Sequence, residues 1–137
     1  MEHSNIIDLH KILYPEEYES NYVYTYTTFN EELAELLERS GYVKQFTTKY
    51  LNALLFLGEL KKRCILNSNL FEALKNSDGI HSMILKGKKN VRILFIFEEV
   101  EGIEIVILLN CFQERRTKDY AKEISQAKAR WKELISI

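Results

Sequence analysis

Three apolar runs near the C-terminus decide the fold: Gly79-Ile-His-Ser-Met-Ile-Leu-Lys86, Val91-Arg-Ile-Leu-Phe-Ile-Phe97 and Ile103-Glu-Ile-Val-Ile-Leu-Leu-Asn-Cys-Phe112. Each has the length of a β-strand and is rich in β-branched and aromatic residues. Short polar turns, 87–90 and 98–102, separate the runs. Such connections join antiparallel neighbours, so the sequence predicts a β-meander. The last two runs are apolar on both faces, and we expect both faces of the sheet to be covered.

Alternation along the middle run assigns its side chains to two faces of the sheet. We expect one face to carry the side chains of Val91, Ile93, Phe95 and Phe97, and the other face to carry those of Arg92, Leu94, Ile96 and Glu98. Arg92 is therefore a charge near the start of an otherwise apolar strand.

The segments around the meander predict a further strand and three helices. The aromatic stretch Tyr22–Phe29 is typical of a strand. Asn30 is a suitable N-cap for a helix that ends at Gly41, and a second helix over 43–64 would form a hairpin with it. We expect a helical turn or two over 70–75 and a last amphipathic helix over 118–135.

The predicted fold class is α+β: a small antiparallel β-sheet meander packed with an N-terminal helix hairpin and a C-terminal helix. The hairpin can cover one face of the sheet, and the last helix can pack on the same face or along an edge. We expect residues 1–20 to be an N-terminal extension, with a short helix over 6–13 that ends before Pro15, and 21–137 to be one domain.

Composition limits the classes of protein to which the chain can belong. Its 137 residues suffice for one core, no apolar run reaches membrane-spanning length, and we expect no signal peptide. Two cysteines without a spacing motif predict reduced thiols and a cytoplasmic protein. Residues 1–40 hold nine acidic and two basic side chains, whereas the rest is mildly basic, although the net charge is −1. Acidic segments could shield a basic groove or simply keep helices soluble.

Catalytic motifs of the usual kinds are missing from the sequence. The three histidines have no ligand spacing to one another or to the cysteines, and there is no glycine-rich phosphate loop, so we expect neither metal nor cofactor. What remains is a set of basic residues around the predicted sheet, with Tyr120 close in sequence: Lys86, Lys88, Lys89, Arg92, Arg115, Arg116 and Lys118. Cations on adjacent strands suit a phosphodiester backbone.

The order and spacing of these elements resemble the RelE/HigB/ParE superfamily of bacterial toxins, in particular its HigB-like, phage-derived branch. The resemblance covers about 22–134 and is strongest from Gly79 on. It is carried by Asp78-Gly79-Ile, Val91-Arg92-Ile-Leu-Phe, Ile-Leu-Leu-Asn-Cys-Phe112, the basic stretch after it, and Glu123-Ile-x-x-Ala127-Lys-x-Arg130. Two positions depart from the family's pattern: Ser82-Met83-Ile84 replaces Glu-Leu-Arg, and Glu114 stands where a lysine is common.

The resemblance implies a RelE-like fold and the toxin of a toxin–antitoxin pair. Such toxins are metal-independent endonucleases that cut mRNA on the ribosome, and a cognate antitoxin neutralises them. It implies that Arg92 holds the scissile phosphate, that Arg115 belongs to a basic catalytic pair, and that Tyr120 stacks on or orients RNA. Lys86 would act near the hairpin as a further catalytic cation. The remaining candidates for RNA binding are Lys88, Lys89, Arg116 and Lys118.

Other interpretations remain open at this point. A ParE-like protein would inhibit DNA gyrase by contact, and a catalytically degenerate relative would be a protein-interaction module. Arg92 could instead pair with Glu98 or Glu104, and the basic stretch 115–118 could be a solvated turn. Tyr120 could be a core residue, and His81 could be a packed histidine rather than a group that transfers protons.

Overall fold

The computed structural model describes residues 10–11, 20–41, 43–87, 90–115 and 119–135. Within these ranges one six-stranded sheet has the order β1-β2-β6-β5-β4-β3. Its strands are β1 His10–Lys11, β2 Val23–Thr25, β3 Phe71–Ala73, β4 His81–Leu85, β5 Val91–Val100 and β6 Ile103–Gln113. The α-helices are α1 Phe29–Ser40, α2 Val43–Leu60 and α3 Asp119–Leu134, and a 3₁₀ helix, Lys61–Leu66, follows α2. The predicted α+β class is confirmed.

The predicted antiparallel meander is present as β4-β5-β6, with Ile84 opposite Arg92 and Arg92 opposite Phe112. The sheet as a whole is mixed, however, so the prediction of a purely antiparallel sheet was wrong. β2 lies parallel to β6, with Val23 opposite Val106. A parallel pair needs a long connection, and here the chain between β2 and β6 includes both helices of the hairpin and the rest of the meander.

The two faces of the sheet carry two separate apolar cores. Helices α1 and α2 pack on the face that includes Val91, Ile93 and Phe95. Helix α3 packs on the opposite face, with Leu94 and Ile96. The alternation predicted for the middle strand is confirmed, but α3 lies neither on the hairpin's face nor along an edge. Because β5 and β6 are apolar on both sides, the face that the hairpin leaves open has to be covered by α3.

Several predicted boundaries differ from those observed. Phe71–Ala73 is a strand rather than a helical turn, since it pairs with β4. Helix α1 begins at Phe29, with Thr28 rather than Asn30 at the N-cap. Helix α2 ends at Leu60, because Lys61 has a left-handed φ of 53°. The helix predicted over 6–13 lies mostly outside the described residues, and its His10–Lys11 portion is a strand paired with β2.

A β-bulge in β6 changes which side chains face α3. Leu94 is opposite Asn110 and Phe95 is opposite Leu108, so the register skips Leu109. A bulge of this kind reverses the alternation of the residues beyond it. Asn110 consequently faces α3, where its Nδ2 donates to Glu123 Oε1 at 2.8 Å. Phe112 reaches the same face for the same reason.

Arg130 of α3 connects the bulge to the helix hairpin. Its Nη1 donates to the carbonyl of the bulged Leu109 at 2.8 Å, and its guanidinium forms two hydrogen bonds of 2.7 and 2.6 Å with the Glu32 carboxylate of α1. The guanidinium also lies 4.6 Å from the centroid of the Tyr26 ring. The Arg130 side chain therefore donates to the carbonyl of the bulged residue and connects helices that lie on opposite faces of the sheet.

Among the described residues, none of the helices combines the length and the apolar character needed to cross a membrane.

We expect Arg130→Ala to destabilise the fold by about 2–3 kcal/mol, because it leaves the Leu109 carbonyl without this donor and Glu32 without its bidentate partner. This loss of stability is smaller than the loss expected for a fully buried ion pair, because the Glu32 side chain is 34% exposed. Urea denaturation measures the change. Lys122→Ala, on an exposed part of the same helix, is the matched control and should change stability by under about 0.5 kcal/mol. Equal effects of the two substitutions would contradict the assigned role of Arg130.

Candidate functional site around Arg92

Arg92 lies at the start of β5 on the face that α3 covers, between Ile84 and Phe112 on the neighbouring strands. Its side chain is only 15% exposed. Nη2 donates to Glu114 Oε1 at 3.0 Å, and Nη1 lies 3.7 Å from Glu72 Oε1. The interpretation in which Arg92 pairs with Glu98 or Glu104 is therefore wrong, since its partners are Glu114 and Glu72.

Tyr120 supports Arg92 from the first turn of α3. The Arg92 guanidinium lies 5.2 Å from the centroid of the Tyr120 ring, which packs edge-on against Phe112 at 5.4 Å. A guanidinium at this distance from an aromatic ring gains a cation–π attraction. The structure therefore brings together two of the predicted site residues, Arg92 and Tyr120, and the Leu109 bulge allows Phe112 to join them.

Several polar atoms of this cluster are buried and have no hydrogen bond of normal geometry. They are Arg92 Nε and Nη1, the Tyr120 hydroxyl and Ser82 Oγ, which neighbours that hydroxyl. Burial raises the pKa of Tyr120 above its ordinary value, although Ser82 and the Arg92 charge act in the opposite direction. The phenol is therefore protonated at neutral pH. Buried donors without acceptors are costly in a folded protein, so these groups mark the cluster as a candidate site.

The carboxylates of the cluster differ in their access to solvent. The Glu114 side chain is 23% exposed, whereas that of Glu72 is 54% exposed. The sequence pattern did not point to Glu72, because its segment was predicted to be helical; in β3 Glu72 is instead opposite Ser82. The pattern Leu70-Phe71-Glu72-Ala73 before a turn was the available signal of a strand. The arrangement combines a desolvated cation with an accessible carboxylate, which is suited to handling a phosphate and a nearby proton.

Lys86 and Arg115 lie at the same end of the sheet as Arg92, where Leu85, Val91 and Gln113 are paired side by side. Their immediate surroundings differ from that of Arg92. Lys86 is exposed beyond the end of β4, and its carbonyl accepts a hydrogen bond from Lys49 Nζ. Arg115 is exposed and lines a groove of about 390 Å³ between α1, the end of β6 and α3.

Four predicted RNA-binding residues lie outside the described residues: Lys88, Lys89, Arg116 and Lys118. Their assignment stays a prediction from the sequence.

Among the described residues, the cysteines and the possible metal ligands do not form a reactive centre. Burial raises the pKa of Cys64 to about 11 and raises that of Cys111 as well. Both thiols are therefore protonated at neutral pH and are poor nucleophiles. In the part of the chain that the structure describes, no three His, Cys, Asp or Glu side chains are grouped so that they could hold a metal ion.

Comparison with known proteins assigns no family to this arrangement. No protein-family model matches the chain, and no curated protein matches it either.

His81 is packed between aromatic rings rather than placed in the Arg92 cluster. Its ring stacks on Phe95 at 5.5 Å and meets Phe97 edge-on at 5.1 Å, while Nδ1 lies 2.9 Å from the Gly79 carbonyl. Burial lowers the pKa of His81 below its ordinary value of 6.5, against a smaller raising effect of the Gly79 carbonyl. The imidazole is therefore neutral in the folded protein near pH 7.

We expect His81 to make stability depend on pH below about 6.5. In that range the unfolded chain binds a proton at His81 more readily than the folded protein does, so stability falls as the pH decreases. His81→Phe removes this contribution and keeps an aromatic ring against Phe95. Urea denaturation at intervals from about pH 5 to 7 should show a shallower pH dependence in the variant. Identical slopes would show that His81 titrates alike in both states.

Proposed function

We propose that this protein is a RelE/HigB-like toxin that cuts ribosome-bound mRNA without a metal ion, at a phosphate site centred on Arg92. The proposal depends on the environment of the Arg92 guanidinium. This group is largely desolvated, packs against the Tyr120 ring and has two nitrogens without hydrogen-bond partners. A preorganised cation of this kind stabilises charge that develops in a transition state far better than a solvated one does.

The chemistry of metal-free RNA cleavage fits the groups around Arg92. A base takes the proton of the ribose 2′-OH, the 2′-oxygen bonds to phosphorus, and the bond from phosphorus to the 5′-oxygen breaks. Glu72 is the candidate base, because its carboxylate is accessible and lies near Arg92. Arg92 stabilises the negative charge on the phosphorane. The 5′-oxygen takes a proton from a solvent water as it leaves, and Arg115, an exposed cation at this end of the sheet, would stabilise the charge that develops on that oxygen.

A phosphate that binds Arg92 Nη2 has to displace Glu114. Its carboxylate occupies Arg92 Nη2, and a phosphate is a competing anion for the same guanidinium. Binding of RNA therefore exchanges one anion for another at Arg92. The ion pair keeps the guanidinium in place when RNA is absent and lowers the affinity for RNA by the free energy needed to break it.

A second candidate function is that of a relative without nuclease activity, which acts by protein contact as a ParE-like gyrase inhibitor or another interaction module. The observation in its favour is the charge balance at Arg92, where two carboxylates face one cation. In this alternative the cluster is a structural ion-pair network and no phosphate enters it.

Primer extension on an mRNA in a cell-free translation reaction distinguishes the two candidates. We expect codon-dependent cuts that require ribosomes. Arg92→Ala should reduce them by about 10²–10³-fold, because it removes the charge that stabilises the phosphorane. Glu114→Gln should increase cleavage, since it removes the negative charge that competes with phosphate for Arg92 while keeping the shape of the side chain.

Arg63→Ala, which replaces an exposed arginine of the 3₁₀ helix, is the control for the general loss of a positive charge, and thermal unfolding verifies that each variant is folded. An intact message with wild-type protein would exclude the nuclease. The same protein would then be tested for inhibition of DNA supercoiling by gyrase.

Substitutions of Tyr120 test whether its hydroxyl or its ring contributes to RNA cleavage. The hydroxyl is buried, whereas the ring supports the guanidinium. Tyr120→Phe should therefore retain cleavage within about threefold, and Tyr120→Leu should lose roughly tenfold, in line with a cation–π contribution of about 1–2 kcal/mol. Equal losses in the two variants would assign a chemical role to the hydroxyl. Cleavage rates under single-turnover conditions provide the comparison.

A further inference from the structure

An apolar hollow lies between α2 and the end of β4, outside the Arg92 cluster. It has a volume of about 310 Å³ and is lined by Lys49, Asn52, Phe56, Asn69, Leu70, Ile84, Leu85 and Lys86. Phe56 is 41% exposed, although aromatic side chains of this size are usually buried in a core. The volume lies at the lower end of the range of ligand-binding pockets and can take one or two apolar side chains.

Further apolar side chains are exposed along the same part of the chain. Leu55 on α2 is 55% exposed, and Ile65 and Leu66 in the 3₁₀ helix are 43% and 80% exposed. Single exposed apolar residues are ordinary, but several of them in the same part of the chain as Phe56 indicate a surface that binds another protein. Nucleic acid would be expected to meet a more polar surface.

Positive charge borders the hollow. Lys49 and Lys86 are both exposed and both line the hollow, and Lys49 Nζ donates to the main-chain carbonyl of Lys86. No carboxylate occurs among the eight residues that line the hollow. A partner that places apolar side chains in the hollow would therefore gain most from acidic groups facing Lys49 and Lys86.

We propose that the hollow between α2 and β4, together with its lysine rim, is the docking site of an acidic amphipathic segment of a partner protein. One or two apolar side chains of the segment enter the hollow beside Phe56, and its Asp or Glu side chains pair with Lys49 and Lys86. The docking surface itself is independent of the nuclease proposal.

Selection from a phage-displayed library of random 12-residue peptides tests the docking site with the full chain. The library is selected against wild-type protein and counter-selected against Phe56→Asp. We expect enriched peptides to combine spaced apolar residues with Asp or Glu. An enriched peptide labelled with fluorescein is then titrated with protein and followed by fluorescence anisotropy. Lys49→Glu/Lys86→Glu should weaken its binding by at least about tenfold, the size of an interface hot-spot effect.

Lys122→Glu/Lys132→Glu is the matched control, because these lysines are exposed on α3, which covers the opposite face of the sheet. The labelled peptide should bind this control variant within about twofold of its affinity for wild-type protein, since distant exposed charges are screened. Far-UV circular dichroism verifies that the variants are folded. If the rim variant does not fold, weaker binding of the peptide to wild-type protein at high salt replaces it as the test of the charged rim.

Three outcomes would overturn the proposal. They are the absence of enriched peptides, enrichment of peptides without acidic residues, and equal weakening by the rim variant and the α3 control. Tighter binding of a labelled 12-nucleotide RNA that is lost on substitution of Phe56 would assign the hollow to nucleic acid instead. None of these measurements uses mRNA cleavage, so failure of the nuclease proposal and failure of the docking site are distinguishable.

Discussion

Burial of β5 and β6 on both faces is the constraint on which the structure depends. Leu94 and Ile96 point to one side of the sheet while Ile93 and Phe95 point to the other, and each set must be removed from water. A single helical layer cannot do this. The helix hairpin and α3 therefore pack on opposite faces of the sheet. Side chains beside the bulge in β6 connect the two helical layers. Arg130 fills that role by binding both Glu32 and the Leu109 carbonyl.

The candidate site is a consequence of the same arrangement. Because α3 packs on the face that carries Arg92, its first turn places Tyr120 against the guanidinium. The bulge at Leu109 brings Phe112 onto this face, where it supports the Tyr120 ring. The cluster combines a desolvated cation with carboxylates and buried donors that lack acceptors. Such a combination costs stability and is typical of sites that are organised for binding or catalysis.

Charge balance connects the two proposals. Glu72 and Glu114 compensate Arg92 inside the fold, so a phosphate has to compete with a carboxylate there. Lys49 and Lys86, by contrast, border a hollow without any carboxylate in its lining. The protein, with a net charge of −1, thus holds Arg92 in an internal ion pair and presents Lys49 and Lys86 beside exposed apolar surface.

Local patterns in the sequence determined the meander, the alternation along β5, the helix hairpin and the stripe of α3, because strand and helix periodicity is written in neighbouring residues. They also placed Arg92 at the start of its strand. Only the tertiary structure decided that β2 pairs in parallel with β6, that Phe71–Ala73 is a strand, and that α3 covers the free face. The partners of Arg92 were likewise decided by tertiary structure. Glu72 and Tyr120 reach it through strand pairing, helix packing and a one-residue bulge, which are long-range contacts that no local pattern encodes.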